Sequence, residues 1–165
     1  MNQLKLFTVC LLFSGALSAN PVSDLAQVGS ATLKGYFWII YNSSLYSPDG
    51  EYSGVNPNLA LQIEYRRDIS NEQLIKRTKQ EWEKQNIGIS ESALWLKELS
   101  EFWPDVEKGD VIVLRVGADF ASEFYLNTEF IGSIEDRNFT NEFLAIWLSE
   151  SSSYPKLRNQ LLGTK

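Results

Sequence analysis

The feature that most restricts the fold of this chain is the order of its periodicities. Leu59 to Arg66, "LALQIEYR", repeats every two residues, with Leu59, Leu61, Ile63 and Tyr65 to one side and Gln62, Glu64 and Arg66 to the other. That is the pattern of a half-buried strand. "SNEQLIKRTKQEWEKQN" then opens with Ser70 and Gln73 at capping-box spacing and carries a narrow apolar stripe of Leu74, Ile75, Thr78 and Trp82, which predicts a helix. A second helix is predicted from Ser90 to Phe102, offering Ala93, Leu96, Leu99, Phe102 and Trp103 for burial and ending before Pro104. "VIVLRVG" from Val111 returns to extended structure, and "EFYLNTEFIGSI" reads as a hairpin turning at Asn127-Thr128. "TNEFLAIWL", capped by Asp136 or Thr140, and "YPKLRNQLLG", with Pro155 in its first turn and Gly163 as its stop, predict two closing helices. Strands joined by loops and hairpins rather than by crossovers give an α+β domain: an antiparallel sheet with helices packed on one face.

The first residues, "MNQLKLFTVCLLFSGALSA", carry Lys5, an apolar run from Leu6 to Leu17, and small residues after it. This is the layout of a secretory signal peptide, and the run is too short to span a bilayer. We read residues 1–19 as a cleaved leader and residues 20–165 as one domain, periplasmic or secreted, with no transmembrane segment. Loss of Lys5 takes the formal charge from −6 to −7. So acidic a chain lacks the footprint of a nucleic-acid binder. The only cysteine, Cys10, belongs to the leader, so the domain is stabilised by its core and not by disulfides. No histidine occurs anywhere, which excludes a Ser-His-Asp triad and a His-ligated zinc or haem. "DGEYSGVNPN" lacks the ligand alternation of a calcium loop. No metal site, no cofactor and no catalytic residue are assigned.

"ATLKGYFWIIYNSSLYSPDG", Ala31 to Gly50, reads as extended structure to Tyr46, broken if anywhere at Asn42-Ser43-Ser44. Both of its sides are apolar or aromatic. One side is expected against the helices, the other, with Tyr36, Trp38 and Ile40, against a cleft or a further layer. Lys34 is the one cation near its start. Read on its own, it is a strand cation reaching for water, and Tyr41 and Tyr46 are core phenols.

"VGSATLKGYFWIIYNSSLYSPDG", "LALQIEYRRDIS", "FWPDVEKGD", "FYLNTEFIGSIED" and above all "FLAIWLSESSSYPKLRNQLLG" together resemble the bacterial chalcone isomerase-like family of exported proteins, from about Val28 to Gly163. The resemblance implies the chalcone isomerase fold: a curved antiparallel sheet, helices on one face, and a ligand cleft between them. Relatives of this superfamily include isomerases that close a chalcone to a flavanone and fatty-acid binders without that activity. By the resemblance, the isomerases' arginine, threonine, tyrosine, asparagine and late hydroxyl fall near Lys34, Tyr41, Ser70, Arg77 and Ala145. Most of these residue types differ, so fold alone does not assign the activity. The fatty-acid binders need a cation and a phenol beside an apolar tunnel. Lys34 with Tyr41 can supply them if a bulge near Gly35 brings an even and an odd position to one face; otherwise Tyr36 is the partner. The sequence therefore predicts a non-catalytic binder of a small apolar ligand such as a fatty acid, with Lys34, Tyr41, Tyr36 and Trp38 as ligand-binding residues. A degenerate isomerase and an envelope interaction module without a small ligand stay open beside it. No protein partner is named by the sequence.

Overall fold

A computed structural model describes residues 19–164; the expected leader, apart from Ala19, lies outside the described residues. Six strands form one antiparallel sheet in sequence order: β1 (Ala26–Lys34), β2 (Ile39–Ser47), β3 (Ala60–Tyr65), β4 (Val111–Val116), β5 (Ser122–Leu126) and β6 (Glu129–Ile134). Helices α1 (Asn71–Lys84) and α2 (Ile89–Phe102) are inserted between β3 and β4, while α3 (Arg137–Leu148) and α4 (Pro155–Leu161) follow β6. The predicted α+β arrangement is the observed one.

Local chemistry accounts for most element ends. Ser70 caps α1 through the Gln73 N–H, and the Gln73 side chain accepts the Ser70 N–H in return. Asp136 caps α3 by accepting the Asn138 N–H at 2.8 Å. Thr140, the alternative cap, is instead fully buried in the first turns of α3, where its hydroxyl donates to the Phe120 carbonyl at 2.7 Å and lies 2.8 Å from the Ser122 hydroxyl. The β5–β6 turn places Asn127 and Thr128 at φ 48° and 82°, as a tight hairpin of this kind requires. Gly163 follows α4 with φ 66°.

Two expectations are corrected. The stretch from Ala31 to Tyr46 is not one strand but the two arms of a hairpin, folded where the Gly35 N–H donates to the Trp38 carbonyl at 2.8 Å. Strand-favouring residues run straight through this turn, so propensity hides it. In α2, Ala93 is exposed, and Trp95 takes the inward position. The Trp95 ring meets Trp82 and Phe139 at 5.6 and 5.9 Å, and its N–H donates to Asp136 at 3.0 Å. A tryptophan buries far more apolar area than an alanine, and that difference sets the helix phase.

The core lies between one sheet face and the helices. Leu45, Leu61, Ile63, Ile112, Leu114 and Phe124 face Trp82, Leu99, Trp103, Phe139, Phe143 and Trp147. Phe143 sits at the centre, 5.3 Å from Phe139, 5.6 Å from Phe124 and 5.7 Å from Trp103 by ring centroid. α4 seals the β1 edge so closely that a Cβ on Gly29 would lie 2.2 Å from the Gln160 carbonyl oxygen. The opposite sheet face carries the N-terminal segment: Val22 packs with Ala60 and Val113. Arg115 clamps that segment by a forked pair with Asp24 at 2.7 and 2.8 Å and a bond to the Pro21 carbonyl.

Candidate ligand-binding site

The alternation of the central strands and the stripe of α1 meet around a hollow that the core does not fill. A cavity of about 350 Å³ separates the inner face of β2 and β3 from α1 and α3, within the usual range for a small-molecule site. Tyr41, Ile63 and Tyr65 form its sheet wall, Leu74 and Thr78 its α1 wall, and Ile146 and Trp147 its α3 wall. Trp103 closes the interior end, where a further void of about 20 Å³ continues between Leu61, Leu114, Phe124 and Phe143. These wall residues are buried or nearly so, whereas Gln73 and Arg77 are exposed and Leu33, Ile40 and Tyr154 half-buried. The latter set marks the mouth.

Polar groups are few and positioned. Tyr41 accepts the Trp147 indole N–H at 2.9 Å, which leaves its own O–H free to donate. Burial pushes the phenols of both Tyr41 and Tyr65 far above their ordinary pKa, so both stay neutral at physiological pH and act as hydrogen-bond groups rather than bases. The Trp103 indole N–H is buried with no hydrogen-bond partner among the described residues.

At the mouth, Arg77 pairs with Glu81 one helical turn on, donates to the Tyr154 hydroxyl, and lies 5.9 Å from the Tyr154 ring centroid. Both polar contacts run through Nη2, leaving Nη1 and Nε as donors. Glu81 is 2% exposed. Burial raises its pKa, but the Ser153 hydroxyl, the Lys84 ammonium and the Arg77 guanidinium together outweigh that and hold it below the ordinary carboxylate value. At the rim Arg77 and Glu81 offset one another, and Lys84, which pairs with Glu81 from outside the cavity lining, adds one positive charge nearby.

Of the four sequence-predicted ligand residues, the structure brings only Tyr41 to this cavity. Lys34 is exposed and lines a separate polar groove with Thr32, Asn42 and Gln160. The expected irregularity does exist, but as a register shift between Leu33 and Lys34 in which β2 supplies the extra residue, Ile40. β1 therefore keeps its alternation: Leu33 faces the cavity and Lys34 faces away. Tyr36 and Trp38 sit in the turn, 98% and 55% exposed, and pack against no further layer of the described residues. Among the positions that the resemblance associates with isomerase chemistry, Ser70 spends its hydroxyl on the α1 cap and Ala145 has none. Arg77 does line the cavity. The readable sign of it was Glu81, a carboxylate on the buried stripe of α1, which called for a cation one turn away.

A six-stranded antiparallel sheet, four helices on one face and a hollow between the two layers define a chalcone isomerase-type architecture. The chain belongs to the chalcone isomerase-like family, whose sequence profile it matches over residues 21–163. It is 27% identical to an uncharacterized protein of Haemophilus influenzae over 163 residues, 99% of this chain and 79% of that one. In three dimensions it resembles the Arabidopsis thaliana fatty-acid binding protein AtFAP1, with a TM-score of 0.66 over 85% of this chain and 87% of that chain at 10% identity. Identity at that level speaks to the fold. Among the described residues no helix is long and apolar enough to cross a membrane.

Proposed function

We propose that this is an exported binding protein, periplasmic or secreted, that holds a small apolar molecule with an anionic head, of the fatty-acid type, between its sheet and its helices. The observation that carries the reading is the 350 Å³ apolar cavity with one half-exposed guanidinium at its rim. The tail would lie along Ile63, Leu74, Ile146 and Trp147, and a carboxylate at the mouth would take the free N–H groups of Arg77. A charge-assisted bond of that kind is shorter and stronger than a neutral one. The likeness to AtFAP1, named a fatty-acid binding protein, supports the ligand class. Arg77, and not Lys34, is the cation in this reading.

Native mass spectrometry of the gently purified protein tests for a co-purifying lipid, and displacement of a fluorescent fatty acid measures affinity. Arg77→Ala removes the head-group contact. The expected effect is about tenfold weaker binding, corresponding to ~1.4 kcal/mol, with the melting temperature lower by no more than about 2–4 °C, because Glu81 keeps Lys84 and Ser153 as partners. Binding that ignores this substitution overturns the assignment of the head-group site.

A further inference from the structure

The β1–β2 turn leaves a contiguous aromatic tip in solvent. Tyr36 is 98% exposed, Phe37 89%, Trp38 55% and Ile39 39%. Successive rings are splayed at centroid distances of 6.4 Å, without stacking on one another. A turn closed by the Gly35 N–H needs nothing aromatic at its centre, and clustered exposed apolar side chains favour association. The tip is thus shaped for contact.

Its surroundings select the partner. The Arg67 guanidinium lies 5.7 Å from the centroid of the Trp38 ring. Lys34 is exposed and paired across the hairpin with Ile39. Arg66 follows directly, its backbone N–H donating to the Ile40 carbonyl. Three cations thus flank the tip of a chain whose formal charge is −6. Glu64 offsets Arg66, with which it is paired, and Asp68 accepts the Lys108 backbone N–H, so Lys34 and Arg67 are the cations beside the tip without an ion pair among the described residues. Trp and Tyr settle at the membrane–water interface, Phe and Ile reach the acyl boundary, and Lys and Arg pair with anionic headgroups. A narrow convex tip also offers little of the roughly 800 Å² per partner that a stable protein interface buries.

We propose that the β1–β2 tip is a membrane-surface anchor that inserts Tyr36, Phe37 and Trp38 into the interface of an anionic bilayer, with Lys34, Arg66 and Arg67 on the headgroups. The proposal does not depend on the cavity holding a ligand. It does place the cavity rim, of which Leu33 and Ile40 are the hairpin's part, next to the lipid.

Co-sedimentation of the full chain with phosphatidylcholine vesicles, with and without phosphatidylglycerol, is the test. The wild type is expected to bind the anionic vesicles, more weakly as salt rises, and Phe37→Ser with Trp38→Ser to reduce that binding at least tenfold. Lys34→Glu with Arg67→Glu is expected to abolish the preference for phosphatidylglycerol. The N-terminal segment is common to all variants, so the differences report on the tip. Should the double serine variant not fold, Phe37→Ser alone, at a residue 89% exposed, carries the same comparison. Vesicle binding unchanged by the serine variants overturns the proposal. So does tip-dependent self-association in place of vesicle binding, since the tip would then serve a second copy of the chain.

Discussion

Glu81→Gln separates stability from ligand affinity. The Glu81 carboxylate takes Arg77, Lys84 and Ser153 in a position 2% exposed. Its two cationic partners are 48% and 52% exposed, so each pair contributes only about 0.2–1 kcal/mol after screening. The amide keeps some hydrogen bonding and relieves the cost of burying a charge. A net loss of ~1 kcal/mol follows, or a Tm lower by about 2–4 °C for a domain of this size. Affinity moves the other way. At a separation of ~6 Å and an effective dielectric constant of ~20, Glu81 opposes a bound carboxylate by at most ~3 kcal/mol. Screening at a half-open mouth leaves about 1 kcal/mol, so the substitution should tighten fatty-acid binding about fivefold. Acid behaviour gives a further signature. The folded-state pKa of Glu81 lies below its ordinary value of 4.5. Its contribution to stability is therefore complete above that value and fades as pH falls through the lower folded-state pKa. Melting curves between neutral and acid pH should show a shallower acid decline in the variant. Displacement titrations that show affinity unchanged or reduced would refute the reasoning, because Glu81 would then not compete with the ligand for Arg77.

Two further perturbations probe the frame around the cavity. Gly29→Ala places a Cβ 2.2 Å from the Gln160 carbonyl and 2.6 Å from that of Leu161; backbone cannot step aside, so about 1–3 kcal/mol of stability should be lost, with hydrogen exchange rising in α4 before the central strands. Trp147→Phe deletes the donor to Tyr41 and should cost about 1–3 kcal/mol by denaturant titration; an unchanged midpoint would mean that the Tyr41 phenol finds another partner.

How much of this was legible before coordinates depends on which signal each residue carries. The antiparallel α+β arrangement follows from the order of the periodicities, and the Ser70 capping box, the Asn127-Thr128 turn and the Pro155 and Gly163 boundaries rest on interactions local in sequence, so these could be read directly. The Gly35 turn could not: Tyr36 to Ile39 have strand propensity, and only the pairing of β1 with β2 decides that they bend. The phase of α2 was missed because Ala93 and Trp95 both suit a helix, and contact with Trp82 and Asp136 settles the choice. Tyr41 was named through the family resemblance, and the structure places it on the face it shares with Leu33 and Ile63. Lys34 was misplaced by one register shift, since a bulge in the partner strand leaves the alternation of its own strand untouched. Arg77 looked like one cation among many on a charged helix. Its pairing with Glu81 is local to α1, whereas Tyr154 arrives from the segment before α4, and only the fold sets it beside Arg77 at the cavity rim.

The central claim is that the space between sheet and helices is a real vacancy that accepts an apolar chain. Calorimetric titration of dodecanoate into the wild type and Ile63→Phe tests it most directly, because the added ring would occupy the cavity wall at the middle of β3. The account predicts one molecule bound per wild-type chain and markedly weaker binding by the variant, with the variant folded and its Tm close to that of the wild type, since a larger side chain directed into an existing void is tolerated. Equal binding by both proteins, or loss of several kcal/mol of stability on adding the ring, would contradict it.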